Sequence, residues 1–111
     1  MVFLKRVYED RRNYFEDLDS YLREIKKIVQ RECPDAEIYL FGSVVNGNYS
    51  IGLSDMDVAA VSDTFRDGDK KLNMFGKLTK SFFYSPFEFR VLTHEQWKFF
   101  RNPVKKYRRI D

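Results

Sequence analysis

The stretch Leu40–Val61, LFGSVVNGNYSIGLSDMDVAAV, decides how the rest of the chain is read. An apolar run, Ile38, Tyr39, Leu40 and Phe41, stops abruptly at Gly42-Ser43. A second apolar run follows, and its entrance carries two aspartates at alternate positions, Asp55 and Asp57. In a strand, residues i and i+2 share a face and stand about 6.6–6.8 Å apart along the chain. Two carboxylates so placed can converge on one hard cation, or on two cations about 3.5–4 Å apart. A glycine after the first strand permits a tight turn. A serine at the start of a following helix sets a hydroxyl beside free N–H groups, which suits an anion. A phosphate grip and a metal grip therefore share one strand–turn–strand unit, as triphosphate chemistry requires.

Upstream, apolar residues recur at Phe15, Leu18, Leu22, Ile25 and Val29, a 3.6-residue stripe that predicts a long amphipathic helix from about Val7 to Glu32. Cys33-Pro34-Asp35 ends it, because proline disfavours helical geometry in the residue before it. A first strand is expected over Glu37–Phe41, then a short helical turn from Ser43 and a loop rich in turn formers over Asn46–Gly52. The second strand, Asp57–Ser62, is apolar after its aspartate, as a buried central strand should be. Downstream, a helix from about Asp69 to Phe83 is expected to bury Leu72, Phe75, Leu78 and Phe82.

Phe87-Glu88-Phe89-Arg90-Val91-Leu92 alternates and reads as a third strand. If it lies beside the second, Glu88 faces Asp57 across the ladder. A further carboxylate, Asp63, lies at the far end of the second strand. Thr93 and Gln96 form a capping box for a last helix that carries Trp97, Phe99 and Phe100 and stops before Pro103. At least one of those rings should point away from the sheet, since a helix spreads such a cluster over more than one face. The basic run Lys105-Lys106-Tyr107-Arg108-Arg109 reads as a solvated or frayed tail.

The chain has 111 residues, which predicts one domain over 1–111 with flexible ends at 1–6 and 103–111. A hydrophobic content of 43% and a charged content of 33% describe a soluble globular protein. No apolar run approaches the roughly 18 residues of a membrane span. The single cysteine, Cys33, excludes an internal disulfide and points to a cytoplasmic setting. A net charge of +3 permits contact with nucleotide or nucleic acid without demanding it, because acidic residues are interspersed throughout. Nucleic-acid binding is the least favoured reading, for want of an aromatic–basic RNA motif.

Gly42-Ser43, a spacer, then Ser54-Asp55-Met56-Asp57-Val58 resembles the signature of the DNA polymerase beta-like nucleotidyltransferase superfamily. Length and simplicity resemble its minimal nucleotidyltransferase branch, and the likeness runs from the N-terminal helix to about Trp97. The resemblance implies an α+β fold, a small mixed β-sheet with helices packed mainly on one side. It implies a Mg²⁺-dependent transfer of a nucleoside monophosphate, AMP above all, from an NTP such as ATP to an acceptor hydroxyl. Asp55 and Asp57 would hold two Mg²⁺ ions, with Glu88 completing the acidic triad as third ligand and general base. Gly42 and Ser43 would bind the beta- and gamma-phosphates. The resemblance further suggests a separately encoded helical partner of the HEPN family, for which the chain acts as antitoxin; the Trp97, Phe99 and Phe100 cluster would make that contact or the seam of a homo-oligomer. One departure stands out: minimal members often carry an arginine shortly after the Gly-Ser, and here that stretch is Val44-Val45-Asn46-Gly47. Phosphate affinity would then rest on metal, backbone amides and lysines such as Lys70, Lys71 or Lys77. The alternative function is a catalytically weak or inactive interaction module on the same fold.

Overall fold

Pro34 sets where the first long helix ends. The computed structural model describes residues 12–42, 45, 56–104 and 106–111. Residues 12–16 are helical, Asp17 breaks the run, and helix α1 follows over Leu18–Glu32. The long helix predicted from Val7 is thus interrupted at Asp17, and its first turn lies outside the described residues. Cys33, before the proline, has left helical geometry at φ −131° and ψ 82°. Leu22, Ile25 and Val29 form the buried stripe of α1 with no exposed surface. Each contributes about 1.5–3 kcal/mol by leaving water.

Strands β1 (Glu37–Phe41), β2 (Met56–Val61), β3 (Phe87–Leu92) and β4 (Tyr107–Arg109) form one mixed sheet in the order β3-β2-β1-β4. β1 runs antiparallel to both β2 and β4, while β2 and β3 are parallel. Parallel neighbours need a crossover. It is supplied by a 3-10 turn at Asp63–Arg66 and helix α2 at Gly68–Ser81. Asp67 starts α2 by accepting hydrogen bonds from the N–H groups of Asp69 and Lys70. Helix α3 covers His94–Val104, two residues beyond the predicted stop. Its capping box is complete: Thr93 N–H donates to Gln96 Oε1 at 3.0 Å, and Gln96 N–H donates to Thr93 Oγ1 at 3.2 Å.

Strand alternation gives the sheet two apolar faces. Ile38, Leu40, Met56, Val58, Phe89 and Val91 pack against α1 and α2. Tyr39, Phe41, Ala59 and Val61 face α3, whose Trp97 is buried and stacks on Tyr39 at 4.6 Å. Helices α1 and α2 on one face and α3 on the other give the α+β architecture that the sequence implied.

Two elements differ from expectation. In α2 the inward stripe is Met74 and Leu78, continued by Phe82, whereas Leu72 and Phe75 are 68% and 43% exposed. At 100° per residue Leu72 lies nearly opposite Met74, so one helix cannot bury both. The basic C-terminal run contributes strand β4 instead of a solvated tail. Arg108 pairs in register with Leu40, and Ile110 N–H donates to Ile38 carbonyl at 2.8 Å. Among the described residues no helix is long and apolar enough to cross a membrane.

Candidate active site

Three strand ends meet at one end of the sheet. The register places Phe41 opposite Asp57, and Asp57 opposite Glu88. Direct neighbours across a ladder project to the same face. Asp57 and Glu88 therefore stand side by side on the face that carries α3, at the entrances of two parallel strands. Asp57 is half-buried, and the Glu88 side chain keeps 50% of its exposure.

Gly42 closes the third side. Its φ of +91° is a conformation that L side chains rarely adopt. A β-carbon there would overlap Asp57 Oδ2 and come within 3.3 Å of its Cγ. The glycine is thus required twice, once by the turn and once by the carboxylate lying over it. Val45 N–H donates to Gly42 carbonyl at 3.2 Å, and Val45 is helical, so the chain turns from strand towards helix directly after β1. Ser43 and Asp55 lie outside the described residues. Of the predicted site residues the structure brings together Gly42, Asp57 and Glu88.

Arg90 sits two positions along the same face of β3, with Nη2 3.4 Å from Glu88 Oε1 and its guanidinium 5.4 Å from the Phe100 ring centroid. Phe100 meets Phe41 edge-on at 5.2 Å, which carries the aromatic packing of α3 up to the acidic pair. Asp63 is at the other end of β2, 3.6 Å from His94 Nδ1 and 3.9 Å from Arg66, away from Asp57. Two of the three lysines named as phosphate ligands are engaged elsewhere. Lys77 pairs with Glu32 of α1 at 2.8 Å, and Lys71 donates to Gln96 at 3.3 Å.

Two titratable side chains are pushed upwards. Burial, reinforced by a hydrogen bond to Glu37, pushes the Tyr39 hydroxyl up to about 12. Burial and the nearby Asp35 and Glu32 raise the Cys33 thiol, which marks it as an inert packing residue.

The donor set fits a hard cation. Asp57 and Glu88 offer carboxylate oxygens on one face, next to a glycine whose missing side chain leaves the Asp57 carboxylate its place. Among the described residues no group of three or more His, Cys, Asp or Glu forms a metal cluster. The contact between Gly42 and Asp57 is the feature that sequence reasoning missed. It depends on the β1–β2 register, which nothing local in the sequence encodes.

Comparison with known proteins bears on the family and the fold. Residues 22–111 match the nucleotidyltransferase domain family. A provisionally named nucleotidyltransferase of known crystal structure is 58% identical, with a TM-score of 0.75. That likeness covers 82% of this chain and 98% of the other. A second provisionally named nucleotidyltransferase, from Sulfolobus solfataricus, shares the fold at 19% identity and a TM-score of 0.60, over 93% of this chain and 84% of its own. No curated protein sequence matches the chain. Domains of this family generally use a nucleoside triphosphate and divalent metal ions. The strand pairing, the glycine turn and the extent of the family match agree, and the chain belongs to the nucleotidyltransferase domain family, with the fold of polymerase beta-like minimal nucleotidyltransferases.

Proposed function

We propose that the chain transfers a nucleoside monophosphate, AMP in the first instance, from a triphosphate to an acceptor hydroxyl in a Mg²⁺-dependent reaction. The observation that carries the reading is the in-register pair Asp57–Glu88, with Gly42 pressed against the same aspartate. Asp57, Asp55 and Glu88 are the residues that would hold Mg²⁺, which when bound lowers the pKa of an attacking hydroxyl and neutralises charge on phosphate oxygens. Glu88, half-exposed on an edge strand, is the residue that would take the proton from the acceptor hydroxyl. Arg90 beside it limits the net negative charge that an incoming triphosphate meets. Gly42 and Ser43 hold the beta- and gamma-phosphates and so set the alpha-phosphorus in line for attack.

The acceptor is a hydroxyl on a partner protein of the HEPN type, for which the chain serves as antitoxin. Phe99, 75% exposed on α3 two residues beyond the buried Trp97, is an anchor for such a contact. The arginine missing after Gly42-Ser43 favours a second reading, a binding module with little or no transfer activity. Calorimetric titration of a non-hydrolysable ATP analogue, with and without Mg²⁺, separates the two. The catalytic reading expects Mg²⁺-dependent binding that Asp57→Asn abolishes, and the absence of any binding overturns it.

A further inference from the structure

β3 is an edge strand, with β2 on one side and, among the described residues, no strand on the other. The sheet treats its two edges differently. β4, at the far edge, is three residues long and carries Arg108 and Arg109, the short and charged kind that resists pairing. β3 is six residues long. The carbonyls of Pro86 and Leu92 accept from Met56 and Ser62 N–H at 2.8 and 3.0 Å. Residues of even number thus turn their backbone groups to β2, and Phe87, Phe89 and Val91 turn theirs outward. Alongside this edge, exposed Leu72 and Phe75 of α2 join Phe89 and Val91 in lining a groove of about 480 Å³.

We propose that a second copy of the chain occupies this edge, the two β3 strands pairing antiparallel about a two-fold axis through Phe89. The strand FEFRVL is self-complementary in that register. Phe89 meets its own copy, Phe87 meets Val91, and Glu88 meets Arg90. The last pair falls at a non-hydrogen-bonded position, where opposed Cα atoms stand only about 4.5 Å apart. Each Glu88 then lies between its own Arg90, 3.4 Å away, and Arg90 of the second copy. A slip of two residues in either direction sets Glu88 against Glu88 or Arg90 against Arg90, which repel. A slip of one turns the charged face of one strand to the apolar face of the other. Charge and alternation therefore select one register. The same axis brings Leu72 and Phe75 of both α2 helices together on one face of a continuous sheet. A two-fold contact of this kind closes on itself and leaves no free β3 edge. It also sets a cation from each copy beside the acidic pair of the other. The interface holds whether or not that pair transfers a nucleotide.

Sedimentation of the full chain tests the interface by charge reversal. The unaltered protein should sediment as a concentration-dependent dimer. Glu88→Arg and Arg90→Glu should each weaken the dimer by at least about tenfold, because like charges then oppose at both symmetric positions. An equimolar mixture of the two variants should dimerise again, since across the mixed interface every acid once more faces a base. Both variants lose the pair within their own strand, so recovery on mixing reports contact between copies alone. Leu72→Asp, at a position 68% exposed, should also weaken the dimer while leaving the circular dichroism of the folded chain unchanged. A monomer at all concentrations overturns the proposal and leaves the edge to an extended segment of another protein. A dimer indifferent to Leu72→Asp and to both reversals, or a mixture that fails to recover, overturns it equally.

Discussion

Gly42 has no room for a side chain because the Asp57 carboxylate occupies the space where one would begin. The two residues are far apart in sequence, yet the β1–β2 register makes them neighbours, with Phe41 paired to Asp57. The turn and the candidate metal ligand are therefore one unit, and damage to either should appear in both.

Gly42→Ala tests that unit. The left-handed backbone alone costs about 1–2 kcal/mol for an L residue, and the overlap with Asp57 adds to it. A fall in thermal stability together with loss of nucleotide transfer is expected. Adding Asp57→Ala removes the overlap but not the backbone strain, so the double variant should be less destabilised than the sum of the singles. Additive losses would mean that the two residues do not press on each other.

Asp57→Asn preserves shape and removes a charge from a crowded acidic site. Transfer should fall by about two orders of magnitude or more, with the thermal midpoint unchanged or raised. A large drop in stability with transfer intact would make Asp57 a structural strand cap.

Glu88→Gln separates proton transfer from folding. The side chain is half-exposed on an edge strand, so stability should move by no more than about 0.5 kcal/mol. The expected loss is in turnover, by about 10²-fold or more, with nucleotide binding retained. Unchanged turnover removes Glu88 from the reaction.

Trp97 and Phe99 should divide cleanly. Trp97 is 3% exposed and stacked on Tyr39, so Trp97→Ala should cost about 3–5 kcal/mol. Phe99→Ser, at a position 75% exposed, should cost under about 0.5 kcal/mol and weaken only partner association. Chemical denaturation of both variants, with co-purification of the second, checks the division.

Tyr39 predicts an alkaline limit. Its hydroxyl is held up near 12, above the ordinary 10.0, so the folded state keeps a proton that the unfolded chain releases first. The stabilisation is fully present below the ordinary value and is lost as pH rises through that window, by on the order of 2 kcal/mol. In Tyr39→Phe the stability curve should flatten between those two values. An unaltered slope would place the alkaline transition elsewhere.

Legibility in the sequence followed the physics of each element. β1 and β3 have the limits the sequence predicted, because an apolar run ending at Gly42 and a clean alternation over Phe87–Leu92 are local signals. β4 carried no such signal. Its three side chains are all exposed, and it exists because β1 offers it a ladder. The stripe of α2 was misread because Leu72 and Phe75 share the spacing of a buried face, while Met74 and Leu78 take that face. Which face wins depends on the sheet beneath. The opposition of Asp57 and Glu88 could be anticipated from alternation alone, whereas the closeness of Asp57 to Gly42 needs the register between two strands distant in sequence.

The pairing of Phe41 with Asp57 has a further consequence for how such a protein can change. Phe41 and Asp57 stand opposite each other about 4.5–5.5 Å apart, so the sheet fixes both ends of the intervening sequence at nearly a single point. A segment clamped in that way is an exchangeable cassette, since the entropy of closing it grows only with the logarithm of its length. Lengthening it or grafting another in its place leaves the scaffold almost untouched, provided Gly42 and Asp57 stay as the two halves of the clasp. What such a change must keep is the clasp itself, Gly42 against Asp57, and not the length of what lies between them.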